Sequence, residues 1–590
     1  MGYRETLCNT WAHHDGSPLY VADPAPSLGD RVELSVRVAH ALGVRRVYVR
    51  TAPDGEPRFT EASIDRVSDS ETWWRCAVEM VNPECGYRFL LHTAKGPLWL
   101  TAAGLSALDV PDTTDFMLTT HPAPPAWAAG SVIYQIFPDR FARSGRVSGP
   151  VPDWVRQAEW DDPIPWGSPH ALQQLYGGDL WGVAERLDHI AELGADLLYL
   201  TPFFPARSNH RYDATTFERV DPLLGGDEAL RALTGAAHAR GMRVIGDITL
   251  NHSGDGHEWF AAESAVRDDF YYVDGDDYAT FAGVRTLPKF DHRSAELRRR
   301  LYEGPRSVIA RYLEEFGLDG WRVDVAQSAG RHGEIELNDR VATLTRETMS
   351  GHDALLLAEH QFDASRTLRG TGWHGTMSYA GFARPVWSWL ARERSTEFWG
   401  VPGPIPHYGG ADLAEVMRRY SALIPWRAYT HNLTLLDSHD TARFRSVAGR
   451  EHQHLGAALL FTLPGLPMVF AGDEVGVEGV HLEDGRRPFP WDRTRWDRGT
   501  YQVYRDLVRL RRSHEALRTG GLRWLHVADD TVVYERATPD QTLLVQVSRA
   551  SHPPVAAPAA GVSLTGGPSL RPGLPMPADG PAFHVWELEA

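Results

Sequence analysis

The stretch VIARYLEEFGLDGWRVDV, residues 308–325, contains one complete unit of the pattern that decides the fold. Its first half is a helical segment that stops at Gly317, where a glycine supplies the left-handed cap. Its second half is a short run in which Trp321 and Val323 alternate with Arg322 and Asp324. The stretch therefore predicts a helix followed by a buried strand that carries two charged side chains on one face.

The same unit of helix, glycine and strand recurs along the chain. Residues 180–194, LWGVAERLDHIAELG, place a row of apolar side chains on one helical face and precede the apolar run ADLLYLTP. Residues 228–241, EALRALTGAAHARG, precede the run MRVIGDITL. Apolar runs after such caps are typical of parallel strands covered on both faces. Repeated units over roughly 370 residues favour a (β/α)8 TIM barrel over a doubly wound sheet.

The segments around the predicted barrel have a different pattern. Short alternating stretches near both ends predict an N-terminal β-sandwich and a C-terminal β-sandwich. A long insertion rich in Asp, Gly and Tyr predicts a small excursion domain over the top of the barrel, called the B domain below. The predicted boundaries are 1–122 for the N-terminal sandwich, 123–251 and 291–512 for the barrel, 252–290 for the B domain and 513–590 for the C-terminal domain.

Composition excludes several classes of protein. The 590-residue chain is 43% hydrophobic and contains no apolar run long enough to cross a membrane. Its net charge of −17 argues against nucleic acid or an anionic membrane as a partner. The N-terminal residues lack a signal pattern, and the odd set Cys8, Cys76 and Cys85 lacks metal-site spacing. We therefore expect reduced thiols and a cytoplasmic protein.

Charged and imidazole side chains stand where the predicted strands end. In a barrel of this kind the active site is built at those ends. No phosphate-binding glycine loop, HExxH or CxxC sequence accompanies them, so the pattern predicts carboxylate chemistry without a catalytic metal. The residues are Asp247, Asn251 and His252 in DITLNH, Arg322 and Asp324 in GWRVDV, Glu359 in LLLAEH, and His439 and Asp440 in TLLDSHDT.

An isolated R-x-D pair is most simply a structural ion pair, but three of these carboxylates, Asp324, Glu359 and Asp440, also satisfy the needs of glycoside cleavage. That reaction uses one ionised carboxylate and one protonated carboxyl group. Arg322 would keep the nucleophile Asp324 ionised. Glu359, which follows a very apolar strand, would have a raised pKa and act as the proton donor. Asp440, next to His439, would stabilise the oxocarbenium-like transition state.

The motifs DITLNH, GWRVDVAQ, LLAEH and LLDSHDT resemble, in order and spacing, the four motifs of the α-amylase family, glycoside hydrolase family 13. The resemblance covers about residues 130–500. It implies a (β/α)8 barrel with a B domain inserted after the third strand and a C-terminal β-domain. It also implies a retaining double displacement, with Asp324 as nucleophile, Glu359 as acid/base and Asp440 as transition-state stabiliser. It also implies that three further residues support the nucleophile and bind hydroxyl groups: Arg322, His252 and His439.

Within that family, LPKFD at 287–291 and SNHRYDATTFERVDP resemble the neopullulanase, cyclomaltodextrinase and maltogenic amylase subfamily. This resemblance implies that His210 and Tyr212 line the first sugar subsite. It also implies a carbohydrate-binding-module-like N-terminal domain that forms a homodimer arm over the partner's cleft. The alternative is that the N-terminal domain only stabilises the chain.

The sequence departs from the subfamily at three places. The stretch FARSGRVSGPVPDW lacks the Asn/Asp-rich calcium loop of many relatives and leaves Asp179, so tight calcium binding is not expected and no cofactor is required. HLEDGRRPFPW lacks the usual Asp-Pro-x-x-Arg pattern of the second glycone subsite, an outer subsite for which Asp484 and Arg486 are the candidate substitutes. His360 stands where an aromatic residue near the acceptor is usual, which predicts altered acceptor subsites.

The main hypothesis is a hydrolase of α-1,4 and α-1,6 glucosidic bonds in cyclic or short linear malto-oligosaccharides. A transglycosylase on the same substrates, or a hydrolase of a mixed-linkage cyclic tetrasaccharide such as cyclic maltosyl-maltose, is the alternative within the same chemistry. A non-catalytic sugar-binding protein is a rival of another class, which the three intact carboxylates disfavour. A metal-binding protein using DGDD at 274–277 is less simple than a solvated loop.

Overall fold

The computed structural model describes residues 11–262, 264–396 and 401–589. Eight parallel strands form the central sheet, with bounds Ile133–Ile136 (β1), Leu197–Leu200 (β2), Arg243–Thr249 (β3), Gly320–Asp324 (β4), Leu355–Ala358 (β5), Gly375–Thr376 (β6), Leu433–Leu435 (β7) and Leu466–Phe470 (β8). Their order is sequential, β1 pairs with β8, and a parallel bridge from Met377 to Leu433 connects the end of β6 to β7. The predicted (β/α)8 barrel is confirmed.

Helices surround the barrel, and the helix of the opening stretch has the predicted ends. Val308–Phe316 begins after Ser307, whose hydroxyl accepts from the Ala310 N–H, and ends at Gly317 with a φ of 69°. The other helices of six or more residues are Leu180–Glu185, Leu187–Leu193, Gly226–His238, Ser264–Phe270, Ala295–Leu301, Asn338–Met349, Arg384–Leu390, Gly410–Ser421, Phe444–Thr462 and Arg498–Ser513.

Alternation along β4 sorts its side chains between two environments. Trp321 and Val323 are fully buried and pack in the shell between strands and helices. Leu355 and Leu357 of β5 instead belong to the cluster that fills the barrel interior. Arg322 and Asp324 lie on the face of β4 opposite Trp321 and Val323, at the carboxyl end of the strand. The two charges are therefore held inside the barrel mouth.

The N-terminal region is a β-sandwich, as predicted. One sheet has the strand order Ala12–His13, Arg31–Ala39, Glu71–Glu79 and Ser63–Val67. The second has the order Arg58–Glu61, Val44–Thr51, Glu84–Thr93, Gly96–Thr101 and Gly104–Ser106, with Phe116–Thr119 also paired to Glu84–Thr93. Cys76 and Cys85 are free thiols here, and Cys8 lies outside the described residues.

The insertion between β3 and β4 and the C-terminal region complete the architecture. The insertion contains helix Ser264–Phe270 and a small hairpin, Val273–Asp274 with Asp277–Tyr278, and isolated bridges join its two ends. The C-terminal strands form one antiparallel sheet in the order Gly521–Val527, Thr531–Ala537, Thr542–Ser548, Ala582–Leu588 and Gly561–Ser563. Among the described residues, no helix combines the length and apolar character needed to cross a membrane.

Candidate active site

Arg322 is the fully buried cation at the mouth of the barrel. The register between β3 and β4 sets Asp247 beside it, and Nη1 of Arg322 lies 2.9 Å from Oδ1 and 3.0 Å from Oδ2 of Asp247. Asp247 also accepts from the Tyr199 hydroxyl at 2.7 Å. These contacts compensate the cost of burying the charges and fix the guanidinium plane.

The three carboxylates predicted from the strand ends converge on this guanidinium. Nη1 of Arg322 lies 3.1 Å from Oδ1 of Asp324, and Nη2 lies 3.0 Å from Oε2 of Glu359. Oδ2 of Asp440 lies 3.9 Å from Nη2. Three strands far apart in the sequence thus bring Asp324, Glu359 and Asp440 around one cation.

Sharing the guanidinium among four carboxylates changes the expected ionisation. Burial raises the pKa of Asp324 well above its ordinary value, and the charge of Glu359 adds to this effect while Arg322 opposes it. Burial likewise raises the pKa of Glu359 against the influence of Arg322. The expectation that Arg322 keeps Asp324 fully ionised in the free enzyme is therefore corrected. We infer that the Asp324–Glu359 pair retains one proton above the ordinary carboxyl range.

Asp440 is in a different electrostatic environment. Burial favours its neutral form, but His439, Arg486 and Arg322 together lower its pKa below the ordinary value. Nη2 of Arg486 lies 3.2 Å from Oδ1 of Asp440. Asp440 is therefore ionised at neutral pH while the Asp324–Glu359 pair holds a proton, which is the division of roles that glycoside cleavage needs.

His439 is held as a neutral ring by its surroundings. Burial lowers its pKa to about 3. The side chain of Gln135 lies 3.0 Å from Nδ1, and Nε2 lies 2.6 Å from the Tyr212 hydroxyl. The Tyr212 and His439 rings are stacked at 14°, with centroids 5.6 Å apart. Tyr212, whose hydroxyl is also 2.9 Å from Asp247, therefore links His439 to the buried arginine cluster.

His252 faces the site from the end of β3. Burial lowers its pKa to about 3, so the ring is neutral. Its Nδ1 lies 3.1 Å from the Asn251 amide nitrogen, whereas its buried Nε2 has no hydrogen-bond partner among the described residues. Phe281 from the insertion stacks on this ring at 12°, with centroids 5.2 Å apart. A sugar hydroxyl would satisfy Nε2.

Strained backbone is concentrated at this site. Outside glycine, the described residues with positive φ are Asp54, Arg211, Ala282 and Val325. Arg211, at 64°, separates His210 from Tyr212; Ala282, at 51°, follows Phe281; and Val325, at 35°, follows Asp324. Each such conformation costs of the order of 1–3 kcal/mol and persists where the surroundings enforce it. The Val325 N–H donates to Oε2 of Glu359 at 2.8 Å, so this turn positions the proposed proton donor.

The structure gives the two outer-subsite candidates different positions. Both carboxylate oxygens of Asp484 contact Arg487, at 2.8 and 2.9 Å, and one also accepts from the Val480 N–H. Arg486 instead pairs with Glu483, whose Oε1 lies 3.1 Å from Nη1. Glu483, rather than Asp484, therefore accompanies Arg486 beside Asp440.

The remaining predicted residues lie on loops around the barrel mouth. His210 is half-buried, and its pKa is lowered by burial, with Asp440, Arg486 and Glu483 among the charged groups that act on it. His360 follows Glu359 at the rim, and burial lowers its pKa to about 4. Asp179 caps helix Leu180–Glu185 through Gly182 N, and its other oxygen accepts from Ser144 N at 2.9 Å.

Three residues at the site were not among the residues predicted from the sequence: Gln135, Glu483 and Phe281. Gln135 occupies a fully buried strand position, where a polar residue signals a specific partner. Phe281 and Glu483 carry no signal of that kind, because an aromatic residue in a long loop and an acid on a short helix are both common at surfaces.

The comparison with protein families agrees with the fold. The family model described as "Alpha amylase, catalytic domain" matches residues 135–280 and 271–506. The chain therefore belongs to the α-amylase family, and it is an α-glycoside hydrolase of the cyclomaltodextrinase and neopullulanase type.

Three members of that family illustrate what this chain is similar to. A cyclomaltodextrinase of a Bacillus species is 29% identical over 82% of this chain and 85% of its own length. Neopullulanase 2 of Thermoactinomyces vulgaris is 32% identical over 70% of this chain and 67% of its own. The structure of cyclic α-maltosyl-(1→6)-maltose hydrolase of Arthrobacter globiformis, in complex with that sugar, matches with a TM-score of 0.66 and 30% identity, covering 79% of this chain and all of that one.

Proposed function

We propose that this protein is a retaining hydrolase of α-glucosidic bonds in cyclic or short linear malto-oligosaccharides, acting through a covalent glucosyl–Asp324 intermediate. The observation that carries the proposal is the convergence of Asp324, Glu359 and Asp440 on the buried Arg322. A pair that shares one proton and a third carboxylate that stays ionised supply a nucleophile, an acid and a charge stabiliser.

In the first half-reaction, an oxygen of ionised Asp324 attacks the anomeric carbon. The bond from that carbon to the leaving oxygen breaks, and the leaving oxygen takes the proton of Glu359. Asp324 becomes a neutral ester as Glu359 becomes a carboxylate, so the charge around Arg322 is unchanged. Asp440 stabilises the positive charge that develops on the ring.

In the second half-reaction, Glu359 removes a proton from a water molecule, whose oxygen attacks the anomeric carbon. The ester bond breaks, Asp324 regains its negative charge, and Glu359 regains its proton. A sugar hydroxyl in place of water gives transglycosylation by the same steps. Ring nitrogens and hydroxyls close to the carboxylates would bind the sugar hydroxyls. They belong to His210, Tyr212, His252 and His439, with Arg486 on the same side and His360 toward the acceptor.

A mixed-linkage cyclic tetrasaccharide is a second candidate substrate. It is supported by the 30% identity to the Arthrobacter globiformis hydrolase whose structure contains cyclic α-maltosyl-(1→6)-maltose. The His360–Gln361 pair beside Glu359 also departs from the common acceptor-side sequence. A small ring presents both α-1,4 and α-1,6 bonds to the same three carboxylates.

A homodimer through the N-terminal domain is part of the proposal. Strands Arg58–Glu61 and Ser63–Val67 are both edge strands, and exposed apolar side chains lie along them. Phe59, Ile64 and Val67 are each at least half exposed. Unpaired edges that carry apolar residues favour association. Sedimentation equilibrium should show a dimer that Ile64→Lys with Val67→Lys converts to a monomer.

The decisive experiment incubates the purified enzyme and its Asp324→Asn variant with four sugars. The sugars are β-cyclodextrin, maltotriose, pullulan and cyclic α-maltosyl-(1→6)-maltose, with products followed by chromatography and the first anomer by NMR. We expect the α-anomer as first product, activity lost in the variant, and a preference for a small or cyclic sugar. A β-anomer, or full activity in Asp324→Asn, would contradict the proposed mechanism.

A further inference from the structure

A compact lobe lies between β1 and the first barrel helix, over residues 142–178. Its interior is a small apolar cluster of Ala158, Ile164 and Tyr176, against which Trp160 packs. The guanidinium of Arg143 lies over the Trp160 ring at 5.4 Å and donates to the Ala158 carbonyl at 2.7 Å. The lobe is thus a packed unit, although it contains almost no regular secondary structure.

This lobe is fixed to the loops that carry the sugar-binding candidates. The side-chain nitrogen of Asn209, next to His210, donates to the carbonyls of Ala171 at 2.7 Å and Gln174 at 3.1 Å. The Trp160 indole donates to the Phe489 carbonyl at 3.0 Å, three residues beyond Arg486. The position of the lobe is therefore set relative to the catalytic carboxylates.

Trp166 is the prominent aromatic side chain on the surface of the lobe. It is 51% exposed, and its ring stacks on His481 at 22° with centroids 5.7 Å apart. His481 covers one face of the Trp166 indole, so the exposed area of Trp166 comes largely from the other face. Leu172 and Val480, beside the same two loops, are also exposed. An aromatic ring that is stacked on a second ring, and whose other face is open to solvent beside an active site, is suited to binding the apolar face of a sugar ring.

A buried carboxylate oxygen lies two residues from the stacked histidine. Glu483 is 8% exposed, and Oε1 pairs with Arg486, whereas the buried Oε2 has no hydrogen-bond partner among the described residues. An unpaired buried oxygen of this kind is costly and signals a missing donor. The same Arg486 guanidinium lies 3.2 Å from Oδ1 of Asp440, so Glu483 is separated from that carboxylate by one side chain.

We propose that Trp166, backed by His481, is a stacking platform for a glucosyl unit of the substrate on the non-reducing side of the reacting glucose, and that Glu483 accepts a hydroxyl hydrogen bond from the chain between them. This inference rests on the proposed function and adds a distal subsite to it. It makes the enzyme favour substrates with several glucosyl units before the cleaved bond.

Two chromogenic substrates distinguish an effect on binding at this distal subsite from an effect on the bond-breaking steps. 4-Nitrophenyl α-glucoside places one sugar on the non-reducing side, and 4-nitrophenyl α-maltotrioside cleaved at its aglycone bond places three. We expect Trp166→Ala to lower kcat/KM for the trioside by about tenfold, the order of one lost stacking contact, and to leave the glucoside unchanged. Trp166→Tyr should restore most of the activity on the trioside.

Glu483→Gln and a remote control complete the test. The Gln variant keeps a hydroxyl acceptor and should retain trioside activity better than Glu483→Ala. Leu574→Ala, at 52% exposed in the C-terminal region, should match the wild type on both substrates. Equal losses on both substrates in Trp166→Ala, or none on either, would overturn the platform. Inactivity of the wild-type enzyme on both would instead count against the proposed function.

Discussion

Gln135 holds His439 from two sides. Its Oε1 accepts from the His439 backbone N–H at 3.2 Å, which turns Nε2 of the amide toward Nδ1 of the ring at 3.0 Å. Because the amide nitrogen can only donate, Nδ1 must accept. The neutral ring therefore carries its hydrogen on Nε2 and donates it to Tyr212 or Asp440.

Replacing this amide by a carboxylate reverses that hydrogen bond. Gln135→Glu presents an acceptor to Nδ1, so the ring must take a proton there, and the pKa of His439 rises from about 3. Loss of the ordered donor should lower kcat/KM on maltotriose by about tenfold to a hundredfold. The Gln135→Met variant, which imposes no tautomer, should lose less. A Glu variant that matches the wild type across the pH range would refute the assignment.

The proton shared by Asp324 and Glu359 predicts the pH profile. Burial raises the pKa of both carboxyl groups, so the catalytic proton is retained above the ordinary value of about 4 and is lost as the pH rises through the folded-state pKa. Activity on maltotriose should form a bell, with a basic limb that reports the loss of this proton.

The Glu359→Gln variant tests which group gives the basic limb. On maltotriose it should lose about a hundredfold to ten-thousandfold in kcat. On α-glucosyl fluoride, whose leaving group needs no proton, it should keep the first step and lack the basic limb. A glucosyl–protein adduct should then accumulate and be visible by mass spectrometry. An unchanged basic limb in this variant would assign the proton to another group.

Much of this site was predictable because each part is encoded locally. The apolar runs before Asp324 and Glu359 predict strands, and the charged residue that closes each run predicts its place at the barrel mouth. The barrel, the flanking β-regions and the enzyme class follow from such signals and are confirmed. The domain boundaries and the catalytic roles stay predictions.

What could not be predicted depends on contacts between distant segments. Gln135 and His439 are 304 residues apart. The choice between Glu483 and Asp484 is decided by a short helix, Leu482–Gly485, which turns one acid toward Arg486 and the other toward Arg487. Local spacing alone does not give the direction of adjacent side chains in such a turn.

The position of the Arg322 guanidinium among four carboxylates predicts strong energetic coupling. Arg322→Met should lower the free energy of unfolding by about 3–5 kcal/mol, because it leaves buried charges uncompensated. Adding Asp247→Asn removes one of those charges and should recover part of the loss. Chemical denaturation of both single variants and the double variant gives the coupling energy. Additive effects of the two substitutions would show that the pair is not coupled.

Gly178 sits where the lobe that carries Trp166 meets the barrel. A Cβ at this position would lie 2.3 Å from the Pro138 carbonyl oxygen, so the backbone must move to accommodate it. Gly178→Ala should therefore lower the free energy of unfolding by about 1–3 kcal/mol and reduce activity on the trioside more than on the glucoside.

Gly235→Ala is the matched control, since its Cβ would meet nothing within 4 Å on an exposed helix surface. It should stabilise the protein by about 0.5–1 kcal/mol and leave both activities unchanged. Equal thermal denaturation midpoints for the two variants would show that the close approach at Gly178 does not hold the lobe in place.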